Sequence, residues 1–324
     1  MKNILIVLVI ASAFASCNST KTNSNSDKST SISNSKTTKM NKKETAVAFV
    51  QAVTSQDVDK VRALANPDYI QHNPFLPTGL EPFIQLFPML KENGTKAEAV
   101  RVIEDGNFVM LHQLWTGAKP FGADKMVSFD ILRFDENGKI AEHWDALQPF
   151  VAQTASGRTQ VDGSTVIIDL DKTEANKALA KSMVEDILMG KNPNKITEYI
   201  STEQYDQHNP NIKDGLNGIV EAVQYLTSQD NMFQYTKIHK VLGEGNFVLT
   251  VSEGQWNGTN NVFYDLLRFE NGKAVEHWDV IQEIPTENLA NDNGMLDFKN
   301  VNNYEKSTYY KRSPRISICQ RRIE

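Results

Sequence analysis

Residues 130–145 read DILRFDENGKIAEHWD, and residues 265–279 read DLLRFENGKAVEHWD. With one residue gapped, 12 of 15 aligned positions are identical. An earlier pair matches as well: residues 69–74 are YIQHNP and residues 205–210 are YDQHNP. His72 and His208 stand 136 residues apart, His143 and His277 134 apart. The chain is therefore one unit of about 110 to 130 residues written twice. The His, Asp, Arg, Glu and Trp kept in both copies are mostly not the types that packing alone demands.

Each quoted stretch reads as a β-hairpin around Asn-Gly. A two-residue turn at Asn137-Gly138 pairs residues whose numbers sum to 275. Asp130 then faces Asp145, Leu132 faces His143 and Phe134 faces Ala141 on one side. Ile131 faces Trp144 and Arg133 faces Glu142 on the other. The second turn is one residue shorter, so the same turn there would break the parity. A longer loop, with pairs summing to 544, restores it: Asp265 with Asp279, Leu267 with His277, Arg268 with Glu276. The sequence thus predicts two turn types and matching faces, and a single bulge would invert one of them.

Upstream of each hairpin the apolar period is helical. Val47, Val50 and Val53 precede Val58, Val61 and Leu64; Met183, Val184, Ile187 and Leu188 precede Ile196, Tyr199 and Ile200. Pro74 and Pro210 end these units, and a short third helix follows Gly79 or Gly215. Residues 107–115 and 246–253 then alternate as strands. The fold class is α+β: two tandem cone-shaped domains, each three helices on a curved antiparallel sheet. Domain boundaries fall at 44–150 and 175–285, with an inter-repeat linker at 151–174 and a C-terminal tail at 286–324.

Composition bounds the function. A net charge of -6 argues against a nucleic-acid partner. Two cysteines, Cys17 and Cys319, allow no disulfide framework and no Cys-pair metal site. Residues 1–17 have the layout of an export signal, and Phe14-Ala15-Ser16-Cys17 resembles a bacterial lipobox with Cys17 as the lipidated residue. An ordinary cleaved signal is the alternative. The Ser-, Thr-, Asn- and Lys-rich stretch 18–43 reads as a flexible tether. The expectation is an exported protein of a bacterial envelope, anchored to the membrane by lipid. From Lys299 the repeat pattern ends, and residues 304–324 are basic.

Two carboxylates and an imidazole on one face of each hairpin are the candidate chemistry. Opposed Asp residues raise one another's pKa and so make a carboxyl useful as acid or base near neutrality. The set is Asp130, His143 and Asp145, repeated as Asp265, His277 and Asp279. The bland alternative is a solvated sheet end with the His hydrogen-bonded to one Asp. His72 and His208 line the pocket mouth or merely bond their loop. His112, whose counterpart is Val251, is core or catalytic. Arg133–Glu142 and Arg268–Glu276 read as cross-strand ion pairs on the outer face. Trp144 and Trp278 lie on that face too and need a partner; the other repeat could supply it, as an intramolecular pseudo-dimer, with homo-oligomers also open.

The Tyr-x-Gln-His-Asn-Pro turn, the Asp-x-Leu-Arg-Phe strand and the Gly-Lys-x-x-Glu-His-Trp-Asp return strand together resemble SnoaL-like proteins. These form part of the nuclear-transport-factor-2-like superfamily of α+β cones. The resemblance spans both copies, roughly residues 43–285. It implies polyketide-cyclase-like chemistry, an intramolecular aldol condensation with a pocket Asp as acid/base. That role falls on Asp130 and Asp265, with His143, Asp145, His277 and Asp279 as companions. The chemistry requires no cofactor and no metal, and the ligand would be a small apolar carbonyl compound. A metal held by His72, His143 and Asp145 is conceivable. So is a pocket that binds without turnover, because this scaffold hosts both.

Overall fold

In the computed structural model the described residues are 40–298. The leader with Cys17, most of the tether and the basic stretch lie outside them. No helix among the described residues is long and apolar enough to cross a membrane.

Helix α1 (Lys42–Ser55) starts inside the stretch read as tether, for a local reason. Asn41 accepts from the Glu44 amide and Glu44 accepts from the Asn41 amide, a reciprocal cap. The first repeat continues through α2 (Val58–Leu64), β1 (Ala65–Gln71), α3 (Leu80–Ile84) and α4 (Phe87–Glu92). Four long strands follow: β2 (Lys96–Asp105), β3 (Phe108–Thr116), β4 (Lys125–Phe134) and β5 (Ile140–Pro149). The second repeat has α5 (Thr173–Met183), a π-turn at Val184–Leu188, α6 (Ile196–Tyr199), β6 (Asp206–Gln207) and α7 (Gly215–Ser228). Its long strands are β7 (Gln234–Glu244), β8 (Phe247–Trp256), β9 (Thr259–Glu270) and β10 (Lys273–Glu283).

The sheets run β1-β5-β4-β3-β2 and β6-β10-β9-β8-β7. Both differ from the expected purely antiparallel sheet, because the residues before each His-Asn-Pro form a parallel edge strand on β5 or β10. The expected short third helix also departs in both copies. Pro88, which has no N–H to give the Ile84 carbonyl, separates α3 from α4, whereas α7 has no proline and runs 14 residues.

The hairpins reach the expected faces by an unexpected route. Asp130 pairs with Asp145 and Leu132 with His143, but Phe134 pairs with Ile140 rather than Ala141. The first turn is a longer loop closed by the Asp135 amide on the Lys139 carbonyl. The Asp135 carboxylate holds it by accepting from the Asn137 and Lys139 amides, each at 2.9 Å. The second is the two-residue turn, with Asn271 and Gly272 at φ 50° and 74°. A bulge after the turn, at Ala141 and again at Val275, restores the parity in both copies.

The outer faces bury one another. Met110, Phe129 and Ile131 of the first sheet share one apolar cluster with Leu249, Tyr264 and Leu266 of the second. Gln282 accepts from the Leu147 amide at 2.8 Å, and Gln148 accepts from the Ile281 amide at 3.1 Å. The segment after each sheet then crosses to the other repeat. The carbonyls of Thr159 and Asp162 meet His208 Nδ1 and Trp278 Nε1, at 2.6 and 2.9 Å. Those of Gly294 and Asp297 meet His72 Nδ1 and Trp144 Nε1, at 2.8 and 3.2 Å. Part of the linker and residues 294–298 of the tail are therefore packed straps, each covering the other repeat's tryptophan. Phe298 finishes the second strap, its ring 4.6 Å from that of Trp144. Replacing Phe298 by Ala should cost about 3 kcal/mol. The check is a lower denaturant midpoint with a red-shifted tryptophan emission.

Candidate active site

The alternation set by the bulge points Asp130, His143 and Asp145 into a cavity between α1, the α3–α4 segment and the sheet. Phe49, Val50, Phe83, Leu111 and Leu132 make most of its wall apolar. Space for the centres of water-sized molecules is about 60 Å³, room for on the order of four or five waters. All three polar residues are under 10% exposed.

His143 is clamped at both nitrogens. Nδ1 lies 2.9 Å from Gln71 Oε1, and Nε2 lies 3.0 Å from Asp130 Oδ1. Gln71 Oε1 also accepts from the Asn73 amide at 2.9 Å, which fixes the side-chain amide with its oxygen inward. Nδ1 must then carry a proton, and a second proton lies between Nε2 and Asp130. Burial works against the imidazolium, but the Asp130 hydrogen bond and the charges of Asp145 and Asp130 outweigh it, holding the His143 pKa above its ordinary value.

The two carboxyls differ in their bonds. Asp130 uses both oxygens: Oδ1 on His143, and Oδ2 on the hydroxyl of Ser128, which itself accepts from Trp115 Nε1 at 2.9 Å. Asp145 uses one. Asn73 Nδ2 donates to Oδ2 at 2.9 Å, while Oδ1 is buried with no partner. Burial first, then the neighbouring Asp130, raise the Asp145 pKa to about 6, against the opposing pull of His143.

The second repeat repeats the clamp. His277 Nδ1 lies 2.9 Å from Gln207 Oε1 and Nε2 lies 3.1 Å from Asp265 Oδ1. Asn209 donates to Asp279, whose pKa burial also raises to about 6. In place of Ser128, the Tyr235 hydroxyl sits 3.3 and 3.2 Å from the two oxygens of Asp265.

Three of the other expected site residues lie on the opposite sheet face. His72 stacks on Trp144 at 4.4 Å and meets Glu142 at 2.9 Å; His208 stacks on Trp278 at 4.7 Å and meets Glu276 at 3.0 Å. These join the Arg133–Glu142 and Arg268–Glu276 ion pairs, both formed, at 2.5 and 2.6 Å. His112 stacks on Phe129 between the sheets, with Arg101 3.0 Å from its Nδ1. Burial and Arg101 hold its pKa well below the ordinary value, so it is neutral there. The shared cause is parity: each of the three follows a residue that faces its own cone.

A His72–His143–Asp145 metal site is excluded by the same separation. Asp130, His143 and Asp145 do offer ligand atoms within 4.8 Å of one another, as do Asp265, His277 and Asp279. A cation there would have to displace the proton between His143 and Asp130. Gln71, Asn73 and Ser128 were not among the expected residues. The Gln and Asn stand in both copies of Tyr-x-Gln-His-Asn-Pro, a signal that the flanking His obscured.

A sequence profile for the SnoaL-like domain matches residues 46–143. The first repeat is a SnoaL-like domain. Among curated proteins, none matches the chain. Solved structures with similarity include IdmH of Streptomyces antibioticus, a proposed polyketide cyclase. It is 18% identical, with 34% of this chain and 93% of that one covered and a TM-score of 0.29. An NTF2-like protein of unknown function from Cytophaga hutchinsonii is 15% identical, with coverage of 35% and 95% and a TM-score of 0.29. A proposed ketosteroid isomerase of Kribbella flavida is 15% identical, with coverage of 36% and 84% and a TM-score of 0.30.

Gln71→Leu should release the tautomer lock without emptying the cavity. The expected result is a mixed pattern of Nδ1 and Nε2 signals for His143 in nitrogen NMR, where the native protein shows Nδ1 protonated throughout.

Proposed function

We propose that the first repeat is a cofactor-independent acid–base site that moves a proton next to the carbonyl of a small compound. The observation that carries this is Asp145 Oδ1, an unbonded carboxyl oxygen in a largely apolar cavity. A carboxyl with a pKa of about 6 is mostly ionised at neutral pH yet basic enough to take a carbon-bound proton. This moves the role of base from Asp130, whose oxygens are both bonded, to Asp145. His143, with Nε2 3.9 Å from Asp145 Oδ2, supplies positive charge beside the developing enolate. Asp130 and Gln71 hold that imidazole in place. The SnoaL-like resemblance accords with the same class, since its founding members close rings through an aldol step. The narrow cavity favours a ligand of a few heavy atoms, or the carbonyl end of a larger one.

The test is α-proton exchange of small ketones in heavy water. Exchange should rise with pH through about 6 as Asp145 loses its proton. It should fall at least 100-fold in Asp145→Asn, the scale of a lost general base. Ketone binding with no exchange that depends on Asp145 or Asp130 would leave a pocket that binds only, the reading its apolar wall favours.

The same carboxyl has a stability signature. A pKa raised on folding means that the native state holds the proton more tightly, so this contribution is fully present in acid and is lost as pH rises through about 6. His143, also raised, has the same sign. A shift from 3.8 to about 6 corresponds to on the order of 3 kcal/mol lost on ionisation. Asp145→Asn should therefore unfold several degrees higher than the native protein at pH 8, by about half that margin at pH 5, and near it only below the unfolded value of 3.8, measured by calorimetry, even as exchange falls.

A further inference from the structure

The two repeats share a triad but not a space, and we infer that Tyr235 closes the second triad's site from within, so that of the two triads only the first faces a ligand cavity. Strand pairing makes the comparison residue by residue. In the first sheet Ala97 pairs with Trp115, and Trp115 with Met126, four residues before Asp130. In the second Tyr235 pairs with Gly254, and Gly254 with Asn261, four residues before Asp265. Tyr235 therefore stands where the first repeat has Ala97. Phe263 stands where it has Ser128, each two residues before the Asp.

These exchanges fill the cone. Val50 and Leu147 line the first cavity. The counterpart of Leu147, Ile281, packs with Val184, Tyr235 and Phe263 in one cluster. The Tyr235 and Phe263 rings lie 4.2 Å apart, and Phe233 packs edge-on against both and against Trp256. Tyr235 is buried, and its hydroxyl rests on both oxygens of Asp265, where a ligand's polar group would otherwise sit. Closure is a matter of volume and holds whatever the first site does with its protons.

Xenon reads this directly, because it enters apolar cavities whatever their chemistry. The full chain is exposed to xenon under pressure, and methyl shifts or crystal density locate the gas. The native protein should take xenon beside Asp130 and none beside Asp265. Tyr235→Ala should take it at both sites, and Tyr235→Phe only at the first, since the ring is what fills the space. Should Tyr235→Ala fail to fold, Phe263→Ser, which installs the first repeat's residue, serves in its place. Xenon beside Asp265 in the native chain would overturn closure. So would a folded Tyr235→Ala or Phe263→Ser with xenon at the first site alone, or a native first site that takes none.

Discussion

One extra residue in each hairpin, Ala141 and Val275, decides what every neighbouring side chain does. Side chains alternate along a strand, so the faces of β5 and β10 are set relative to β4 and β9 by the count around the turn. The two turns have different lengths, and the same bulge follows both. With it, Asp145 and His143 enter the cone while Glu142 and Trp144 enter the sheet-to-sheet interface. Without it, the return strand would put a tryptophan in the cavity and bury two carboxyl-bearing faces against apolar ones. The Asp135 carboxylate in one copy and the left-handed Asn271-Gly272 pair in the other are local solutions to that single constraint.

The two faces have opposite energetic characters. Toward the interface, charge is matched: Glu142 is bonded by Arg133 and His72, Glu276 by Arg268 and His208, and the straps provide carbonyls to the remaining ring nitrogens. Arg101 lies over Trp278, 4.0 Å from the ring centroid, and donates to carbonyls of Val161, Asp162 and Ser164. Toward the cavity, matching stops one bond short at Asp145. A buried carboxyl oxygen without a donor opposes folding, and the apolar interface is the part of the molecule that offsets it. Cavity-lining and cohesive surfaces are thus back to back on one hairpin, only the thickness of a sheet apart.

How much of this was legible in sequence follows from range. The hairpin faces were readable because alternation is local and the repeat supplied a second copy of it. The turn types are the reverse of those expected from length, since length alone does not separate a loop plus bulge from a tight turn plus bulge. For His72, His208 and His112 the sequence leaves two places open, because each depends on which face a strand edge presents after a tertiary pairing, β1 on β5, β6 on β10 or β2 on β3. The straps were invisible for a different reason. Their bonds come from backbone carbonyls of residues 159–162 and 294–297, which carry little side-chain signature beyond Val161-Asp162 and Leu296-Asp297. Gln71 and Asn73 were readable in principle, being repeated, yet an amide beside a histidine draws less notice than the histidine.

The duplicated triad itself is a weaker sign of function than its repetition first indicates. Asp265, His277 and Asp279 keep the clamp, the Asn donor and the raised carboxyl of the first copy, although Tyr235 fills the space before them. The clamp ties the parallel edge strand to the sheet, through Gln71 to His143 and Gln207 to His277, and Asn73 and Asn209 add a second tie to the same strand. It is therefore worth retaining for architecture alone. What turns the arrangement into a candidate for chemistry is volume. Asp145 Oδ1 and Asp279 Oδ1 are both unbonded, but Ala97 and Ser128 are small where Tyr235 and Phe263 are large, and it is Asp145 that lines a cavity.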